Sequence, residues 1–149
     1  MIAHQVPAVL REMFAQQLLA VLATQRDGHP YCSLVAFDGD EDLRCIYFVT
    51  HRGTRKYDNL RSEPRVSLLL DTRQNRGADF AEAAAATVLG RAEEVNGDQR
   101  DVLQQRFLAK HPDLRDFVSA PDAALLRVRV ERYQVVTRLQ ELIEVELGA

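Results

Sequence analysis

Apolar residues alternate with polar residues, or run together over short stretches, along most of the chain, and this pattern predicts about six β-strands. The predicted strands cover residues 18–24, 30–38, 43–50, 66–70, 84–95 and 126–136. The turn Asp27-Gly28 between the first two strands is typical of a tight hairpin, because glycine accepts positive φ. Hairpin connections place neighbouring strands antiparallel. The pattern therefore predicts a mainly β (α+β) fold, a six-stranded antiparallel barrel with helices packed outside it.

Other segments place apolar residues three and four positions apart, which is the spacing of an amphipathic helix. The predicted helices are 9–17, 54–62 and a segment that opens at Gly97-Asp98 and ends at His111-Pro112. Two stretches stay open at this level. The alanine run at 83–86 suits a strand or a helix, and the pattern of the tail at 139–147 is ambiguous.

Composition indicates one soluble domain that spans residues 1–149, since 46% of them are hydrophobic, 28% are charged, and no repeat or linker divides them. The net charge of −3 disfavours nucleic acid and anionic membranes as partners, because both attract a basic surface. No signal peptide or membrane-spanning stretch is visible, so a cytoplasmic protein is expected. Cys32 and Cys45 are expected to be free, buried thiols.

Residues 50–56 carry three fixed positive charges, Arg52, Arg55 and Lys56, and no acidic residue. A predicted strand ends here and a predicted helix begins, so free backbone N–H groups and the helix dipole point to the same place as Arg55 and Lys56. A phosphate suits this place, with the hydroxyl of Thr54 as a further donor. Alternatively, Thr54 caps the helix and the basic residues are solvated. Basic residues at the start of a helix oppose its dipole, which favours a bound anion.

A series of short motifs between about residues 18 and 70 carries a resemblance to a known family. The motifs are Leu22-Ala23-Thr24, Asp27-Gly28-His29-Pro30-Tyr31, Tyr47-Phe48-Val49-Thr50, Gly53-Thr54-Arg55-Lys56, Asn59-Leu60 and Pro64-Arg65-Val66-Ser67-Leu68-Leu69. In this order and spacing they resemble the flavin-binding split barrels related to pyridoxamine 5'-phosphate oxidase.

The resemblance implies a six-stranded split β-barrel that forms a homodimer, with FMN in the clefts between the subunits. It implies that Arg55 and Lys56 hold the FMN phosphate. The other cofactor-binding residues that it implies lie on the second and third strands and are Ser33, Leu34, Val35, Ala36, Val49 and Thr50. The loop residues Arg73 and Asn75 are expected to reach the cofactor of the other subunit.

Departures from the family pattern bear on the reaction. The oxidase has a glutamine where this chain has its alanine run around Ala85, and a lysine at the position of Asp38. We therefore expect a flavin-dependent oxidoreductase with an unknown small-molecule substrate and unknown catalytic residues, not a true pyridoxamine 5'-phosphate oxidase. The alternative is a non-catalytic module that binds or senses a flavin, deazaflavin or haem. No metal site is predicted, and His51 is expected to contact the anion or solvent.

Overall fold

Seven β-strands in one antiparallel sheet form the body of the protein, in a computed structural model that describes residues 3–138 and 141–147. The strands are β1 (Leu19–Arg26), β2 (His29–Gly39), β3 (Cys45–His51), β4 (Arg65–Asp71), β5 (Ala84–Val95), β6 (Ala123–Thr137) and β7 (Glu141–Glu146). Their order is β3-β2-β1-β4-β5-β6-β7, and β3 also pairs with β6. This last pairing closes β1 to β6 into the predicted six-stranded barrel, while β7 extends the sheet beyond β6.

Five α-helices flank the barrel. They are α1 (Val6–Gln16), α2 (Arg55–Ser62), α3 (Asp79–Glu82), α4 (Gly97–Lys110) and α5 (Arg115–Ser119), with 3-10 turns at Ala3–Gln5 and Pro112–Leu114. Helix α1 begins three residues before the predicted start, because proline is accepted in the first helical turn and Pro7 lies there. Over residues 3–138 and 141–147, no helix is both long and apolar enough to span a membrane.

Two hydrophobic clusters hold the fold together. The first fills the barrel and includes Leu22, Val35, Phe37, Phe48, Leu68, Val88, Leu126 and Tyr133, with Leu10, Met13 and Phe14 of α1 across one end. The second lies outside the barrel wall, where Tyr47, Val49 and Leu125 pack against Phe107, Leu108 and Val118 of the later helices. Strand β3 is therefore covered on both faces, and its residues from Cys45 to Thr50 are all buried.

The structure decides the open points and corrects one expectation. The alanine run enters β5, because ladders to β4 and β6 on both sides override the helical preference of alanine. Residues 141–146 of the ambiguous tail form β7, whereas 139 and 140 lie outside the described residues. The expectation of two buried thiols is wrong for Cys32, which is exposed; both cysteines are free. Cys32 belongs to the outward-facing set of β2, so the alternation of that strand turns it to the surface.

Strands β2 and β3 pair over only a short length, and the gap between them is what splits the barrel. The ladder covers Phe37–Phe48, Asp38–Tyr47 and Gly39–Ile46. Beyond it, residues 29–36 of β2 pair only with β1, and residues 49–51 of β3 pair only with β6. We call the boundary between the two strands the seam, with a closed end at residues 37–39 and 46–48 and an open end at residues 29–36 and 49–51.

Candidate functional site

The open end of the seam offers backbone groups that no neighbouring strand uses. The facing edges of Ser33–Ala36 and of Val49–Thr50 have no ladder to each other. A strand edge of this kind presents N–H donors and C=O acceptors in alternation. The predicted strand residues therefore lie along one cleft, where a ligand can complete their backbone hydrogen bonds.

The side chains of these residues point in different directions because strand residues alternate between faces. Val35 and Thr50 are buried on the barrel side, whereas Val49 packs in the outer cluster. Ala36 is half-buried against that outer cluster. Leu34 is 62% exposed on the outer face of the sheet. Within the cleft, a ligand would meet Val35, Ala36 and Val49 through their backbone.

Two buried polar atoms near the open end lack hydrogen-bond partners among the described residues. They are Ser33 Oγ and Asn59 Oδ1. Asn59 is buried in α2, and its Nδ2 donates to Thr24 Oγ1 at 3.1 Å. Thr24 and Leu22 lie two positions apart on one face of β1, and Leu22 pairs with Ser33. Ser33 Oγ and Asn59 Oδ1 therefore lie at the same end of the barrel, next to adjacent residues of that face. An unpaired buried polar atom is costly, and a ligand that supplies the partner removes this cost.

Helix α2 begins at the mouth of the open end. Its N-cap is Thr54, whose Oγ1 accepts a hydrogen bond from Tyr57 N at 3.4 Å and donates to His51 O at 2.8 Å. The Thr50 hydroxyl lies 3.0 Å from Thr54 Oγ1. The threonine thus caps the helix with its hydrogen already donated. The first intrahelical hydrogen bond runs from Asp58 N to Thr54 O, so the N–H groups of Arg55 and Lys56 have no acceptor within the helix and point out of its start.

The three cations of residues 50–56 have different surroundings. Arg52 is paired with Glu94, with 2.5 Å between Nη2 and Oε2. Arg55 is exposed, and its guanidinium lies 5.6 Å from the centre of the Tyr31 ring. Lys56 is half-buried. Within the described ranges, neither Arg55 nor Lys56 has a carboxylate within 4.0 Å. Two unpaired cations therefore stand at the positive end of a helix dipole, where they repel unless an anion joins them.

Glu94 on β5 fixes the position of α2, and no local sequence pattern indicates this role. Its Oε1 accepts a hydrogen bond from Tyr57 Oη at 2.6 Å, and its other oxygen binds Arg52. Burial alone would raise the pKa of Glu94, but the hydrogen bonds from Tyr57 and Arg52 outweigh it and lower that pKa. The carboxylate thus holds both the loop before α2 and the helix itself against the barrel.

Two residues singled out from the sequence lie elsewhere. The ring of His51 stacks on Phe117 at 4.5 Å, and its Nε2 lies 3.1 Å from Phe117 O. Its Nδ1 lies 3.5 Å from Asp122 Oδ2, and its side chain is 31% exposed, as the expected contact with solvent requires. Asn75 lies in the loop after β4, whereas α2 comes before β4. The seven residues of β4, about 23 Å of strand, therefore separate Asn75 from the end of α2. The loop is held by Asp79, which accepts a hydrogen bond from Asn75 N at 2.8 Å. Within one subunit, Asn75 is not part of the cleft.

Metal ligands are not grouped in the structure. Across residues 3–138 and 141–147, no cluster of three or more His, Cys, Asp or Glu side chains is placed to hold a metal ion. The cleft therefore has cations, a helix start and backbone edges as its binding groups. These groups suit an organic anion with a phosphate at one end and a hydrogen-bonding body.

Comparisons with known proteins agree with the fold. No curated protein matches the sequence significantly. A protein of unknown function from Agrobacterium tumefaciens is 24% identical with a TM-score of 0.79, over 90% of this chain and 57% of the other. A heme binding protein from Mycobacterium smegmatis is 19% identical with a TM-score of 0.83, over 98% and 60%. A FAD-binding protein from Mesorhizobium loti is 20% identical with a TM-score of 0.71, over 91% and 92%.

These likenesses show the fold, and the chain spans only about three fifths of the Agrobacterium and Mycobacterium proteins. The family model for pyridoxamine 5'-phosphate oxidase matches residues 6–137. This range includes all six strands of the barrel, the seam and α2. The chain therefore belongs to the pyridoxamine 5'-phosphate oxidase family.

Proposed function

We propose that the chain binds a flavin through its FMN moiety, with the phosphate at the start of α2 and the ring system in the open end of the seam. The observation that carries the proposal is the pair of cations, Arg55 and Lys56, without carboxylate partners among the described residues. The chain has a net charge of −3, and its neighbouring cation Arg52 is paired. An anion of phosphate type removes the repulsion between the two cations and the helix dipole.

The described residues fit the rest of the cofactor. The Ser33 hydroxyl lacks a partner among the described residues, and a hydroxyl or phosphate oxygen of the ribityl phosphate chain would accept from it. The backbone of Leu34, Val35 and Ala36 would line one side of the ring, and that of Val49 and Thr50 the other. When bound, the flavin supplies the redox chemistry, while the protein binds and orients it and tunes it through backbone amides.

A second copy of the chain is the proposed second wall of the site. On the outer face of the sheet, Val21 pairs with both Leu34 and Leu69, so the three residues form one row across β2, β1 and β4. Leu34 is 62% and Leu69 38% exposed, and Leu19 nearby is 51% exposed. An apolar row of this size favours burial against a partner. We propose a homodimer in which Asn75 of one subunit reaches the cofactor of the other.

The proposed activity is that of an oxidoreductase acting on a small molecule. Flavin enzymes leave electron transfer to the ring, so the cleft needs no general acid or base of its own. Asp38, at the position of the family's lysine, is held in an ion pair by Arg106 at 3.0 Å. A carboxylate that is already paired with an arginine cannot supply the positive charge of that lysine, which supports a substrate other than pyridoxamine 5'-phosphate. Two free cysteines suit a reducing, cytoplasmic location.

A non-catalytic module that binds or senses a flavin, deazaflavin or haem is the second candidate. The observation that favours it is the likeness to the heme binding protein from Mycobacterium smegmatis. Stopped-flow reduction of the loaded protein by NADH or NADPH, with a range of electron acceptors, separates the two candidates. An oxidoreductase turns over with at least one acceptor, whereas a binding module is not re-oxidised faster than free flavin.

Binding of FMN by the ligand-free protein and by the double variant Arg55→Ala/Lys56→Ala tests the main proposal. We expect the double variant to bind FMN about 100-fold more weakly, since each cation makes a charge-assisted hydrogen bond. Arg115→Ala, which removes an exposed arginine on α5, is the matched control and should leave FMN affinity unchanged. A wild-type protein that binds no added FMN in calorimetry would overturn the proposal.

A further inference from the structure

A cavity of about 300 Å³ lies at the closed end of the seam, between the second half of α1, the start of the β2–β3 turn and the end of α4. Small-molecule sites in proteins measure about 300–1,000 Å³, so this cavity is large enough for a small organic ligand. Its lining residues lie at 11–15, 38–41 and 110, outside the open end of the seam where we propose the flavin. The cavity is therefore a second place at which the protein can take up a small molecule.

Lys110 brings a primary amine to this cavity from the last position of α4. Its side chain is half-buried, and its Nζ donates a hydrogen bond to Phe14 O at 2.6 Å. Phe14 lies in the last turn of α1, where carbonyl groups lack intrahelical donors, so the lysine caps that helix. Among the described residues, no carboxylate oxygen lies within 4.0 Å of this Nζ. The amine is thus held at one side of the cavity without an ion pair.

The helix cap alone does not require a lysine. An arginine would also donate to the end of a helix, and of the 19 lysine and arginine residues of the chain only Lys56 and Lys110 are lysines. An arginine keeps its charge, whereas a half-buried lysine can lose a proton and then acts as a nucleophile. Burial lowers the pKa of Lys110 from its ordinary 10.5 to about 8, although Asp38 acts in the opposite direction. At about pH 7.5, about a quarter of such an amine is neutral, against about one in a thousand for an ordinary lysine.

The surroundings of Nζ narrow the class of reagent that suits the amine. Nζ lies 3.9 Å from the centre of the Phe37 ring, and Asp38 attracts a positive charge at the same place. Both groups stabilise a positively charged nitrogen. An acyl group would convert the amine into a neutral amide and lose this stabilisation. An imine formed with an aldehyde can bind a proton and keep the charge, so the site favours an aldehyde over an acyl donor.

The charges of the lining limit the aldehyde further. The charged lining residues are Arg11, Lys110, Asp38, Asp40 and Glu41. Two basic and three acidic groups leave no excess of positive charge, so an anionic aldehyde gains no net attraction. Phe14 and Ala15 add apolar surface. A small neutral aldehyde therefore suits the cavity better than a phosphorylated or carboxylated one.

We propose that Lys110 is a site of covalent aldehyde capture, at which a small neutral aldehyde enters this cavity and forms an imine with the side-chain amine. Nζ of the neutral amine attacks the carbonyl carbon, a C=N bond replaces the C=O bond, and the carbonyl oxygen leaves as water with both hydrogens of the amine. The imine then binds one proton, which it donates to Phe14 O. No electrons are gained or lost, and water reverses the reaction. This inference stands independently of the proposed flavin.

Reductive labelling of the folded, ligand-free protein tests the inference. The protein is incubated at about pH 7.5 with benzaldehyde and cyanoborohydride, which reduces an imine to a stable amine, and we expect Lys110 to be labelled at least about tenfold faster than Lys56. Mass spectrometry of proteolytic peptides gives the two rates. Labelling of Lys56 at an equal or higher rate overturns the inference. With 4-carboxybenzaldehyde, labelling of Lys110 should be about threefold slower than with benzaldehyde, and an equal rate overturns the preference for a neutral aldehyde.

Variants locate the reaction in the cavity. Ala15→Leu fills part of the cavity and should slow the labelling of Lys110 by benzaldehyde about tenfold, whereas labelling by the much smaller formaldehyde should stay within about twofold. Ala8→Leu makes the same change at another exposed position of α1 and is the matched control. Equal rates with benzaldehyde in Ala15→Leu and in the wild type contradict capture within the cavity.

Labelling in the presence of FMN distinguishes this site from the proposed flavin site. If the flavin binds at the start of α2, FMN should protect Lys56 and leave the labelling rate of Lys110 unchanged. Protection of Lys110 by FMN would place its amine in the flavin site and overturn the inference. A lack of protection at Lys56 would contradict the proposed flavin site, while faster labelling of Lys110 would still support aldehyde capture.

Discussion

The two ends of the seam are built from the same two strands and differ in whether their polar groups are paired. At the closed end, Arg106 bridges Asp38 at 3.0 Å and Asp40 at 2.9 Å, and the Tyr47 hydroxyl donates to Asp40 at 3.0 Å. Arg106 also lies over the Tyr47 ring, 4.9 Å from its centre. Each of these charges has an opposite charge beside it, so the cluster holds β2, β3 and α4 together.

Two further polar side chains at the closed end, Lys110 and His111, have partners as well. Lys110 Nζ donates to Phe14 O at 2.6 Å, at the last turn of α1, and lies 3.9 Å from the centre of the Phe37 ring. Burial lowers the pKa of Lys110 to about 8, although Asp38 acts in the opposite direction. His111 Nε2 lies 2.7 Å from Phe37 O. The closed end thus ties α1 and α4 to β2.

The open end has the same types of residue without these partners. Arg55 and Lys56 lack carboxylates within 4.0 Å in the described ranges, and Ser33 and Asn59 each bury an unpartnered oxygen. Paired polar groups thus stabilise the closed end, whereas the unpaired polar groups lie where we propose that the ligand binds. Substitutions at the two ends should therefore have different effects on the ligand-free protein.

The largest expected effect is on packing at the closed end. Phe37 is fully buried in the barrel, and Phe37→Ala should lower the free energy of unfolding by about 3–5 kcal/mol, because it leaves a cavity. Urea denaturation measures the change. Phe80→Ala makes the same substitution at a side chain that is 71% exposed, and should change stability by less than about 0.5 kcal/mol. Similar losses in both variants would contradict the assignment of the core to this end.

Removal of a hydroxyl should change the free energy of unfolding in opposite directions at the two ends of the seam. The Tyr133 hydroxyl donates to Leu43 O at 2.5 Å in the β2–β3 turn, so Tyr133→Phe should lower the free energy of unfolding by about 1–2 kcal/mol. Ser33→Ala removes an unpaired hydroxyl and should raise it by about 1 kcal/mol in the ligand-free protein. Thermal denaturation of both variants measures the signs. Destabilisation by Ser33→Ala would show that the hydroxyl already has a partner.

The stability that Glu94 contributes by holding α2 against the barrel should depend on pH. The pKa of Glu94 is lowered from its ordinary 4.5 by Tyr57 and Arg52 despite burial, so its charge stabilises the fold above about pH 4.5, and this stability is lost as the pH falls through the lowered value. Glu94→Gln should cost about 1 kcal/mol at neutral pH and progressively less in acid. Urea denaturation across this range is the measurement. Glu12→Gln, on the exposed face of α1, should show no such dependence; a pH-independent loss in Glu94→Gln would contradict the role of its charge.

The smallest expected effect is an increase in the stability of the ligand-free protein. Arg55→Ala and Lys56→Ala each remove an unpaired cation from the start of α2, and each should raise the free energy of unfolding of the ligand-free protein by about 0.3–1 kcal/mol. Arg52→Ala breaks the pair with Glu94 and should lower it. Chemical denaturation of the three single variants, before any flavin is added, gives the comparison. Loss of stability in Lys56→Ala would mean that the lysine serves the fold.

Residues 50–56 could be interpreted from the sequence because their signal is local. Charge, hydroxyls and the strand-to-helix boundary all lie within seven positions. The family resemblance then indicated Ser33 to Ala36 and Val49 to Thr50 as the other side of the site. His51 is a different case. Alternation predicts that it faces away from Thr50, but its contact with Phe117 joins residues 66 positions apart and has no local signal.

What the sequence did not reveal depends on contacts between distant segments. Glu94 reaches Tyr57 across 37 positions, and no local pattern connects a glutamate of β5 with α2. The unpaired oxygens of Ser33 and Asn59 emerge only when the barrel is closed around them. The short ladder between β2 and β3 likewise appears only in the folded barrel, where the two strands diverge while β3 stays paired with β6 along its other edge. One local signal existed for Asn59, a polar residue between the buried Tyr57 and Leu60 in α2.

The covering of β3 on both faces has a consequence for folding. Its ladder partner β6 lies 72 to 84 positions further along the chain, from His51–Ala123 to Cys45–Arg129. During synthesis at about 5–20 residues per second, β3 therefore leaves the ribosome several seconds before β6. The β1–β2 hairpin forms from near neighbours, whereas closure by β6 joins distant ones and limits the folding rate. Until that closure, the apolar strand β3 leaves one edge unpaired, and an unpaired apolar edge promotes aggregation.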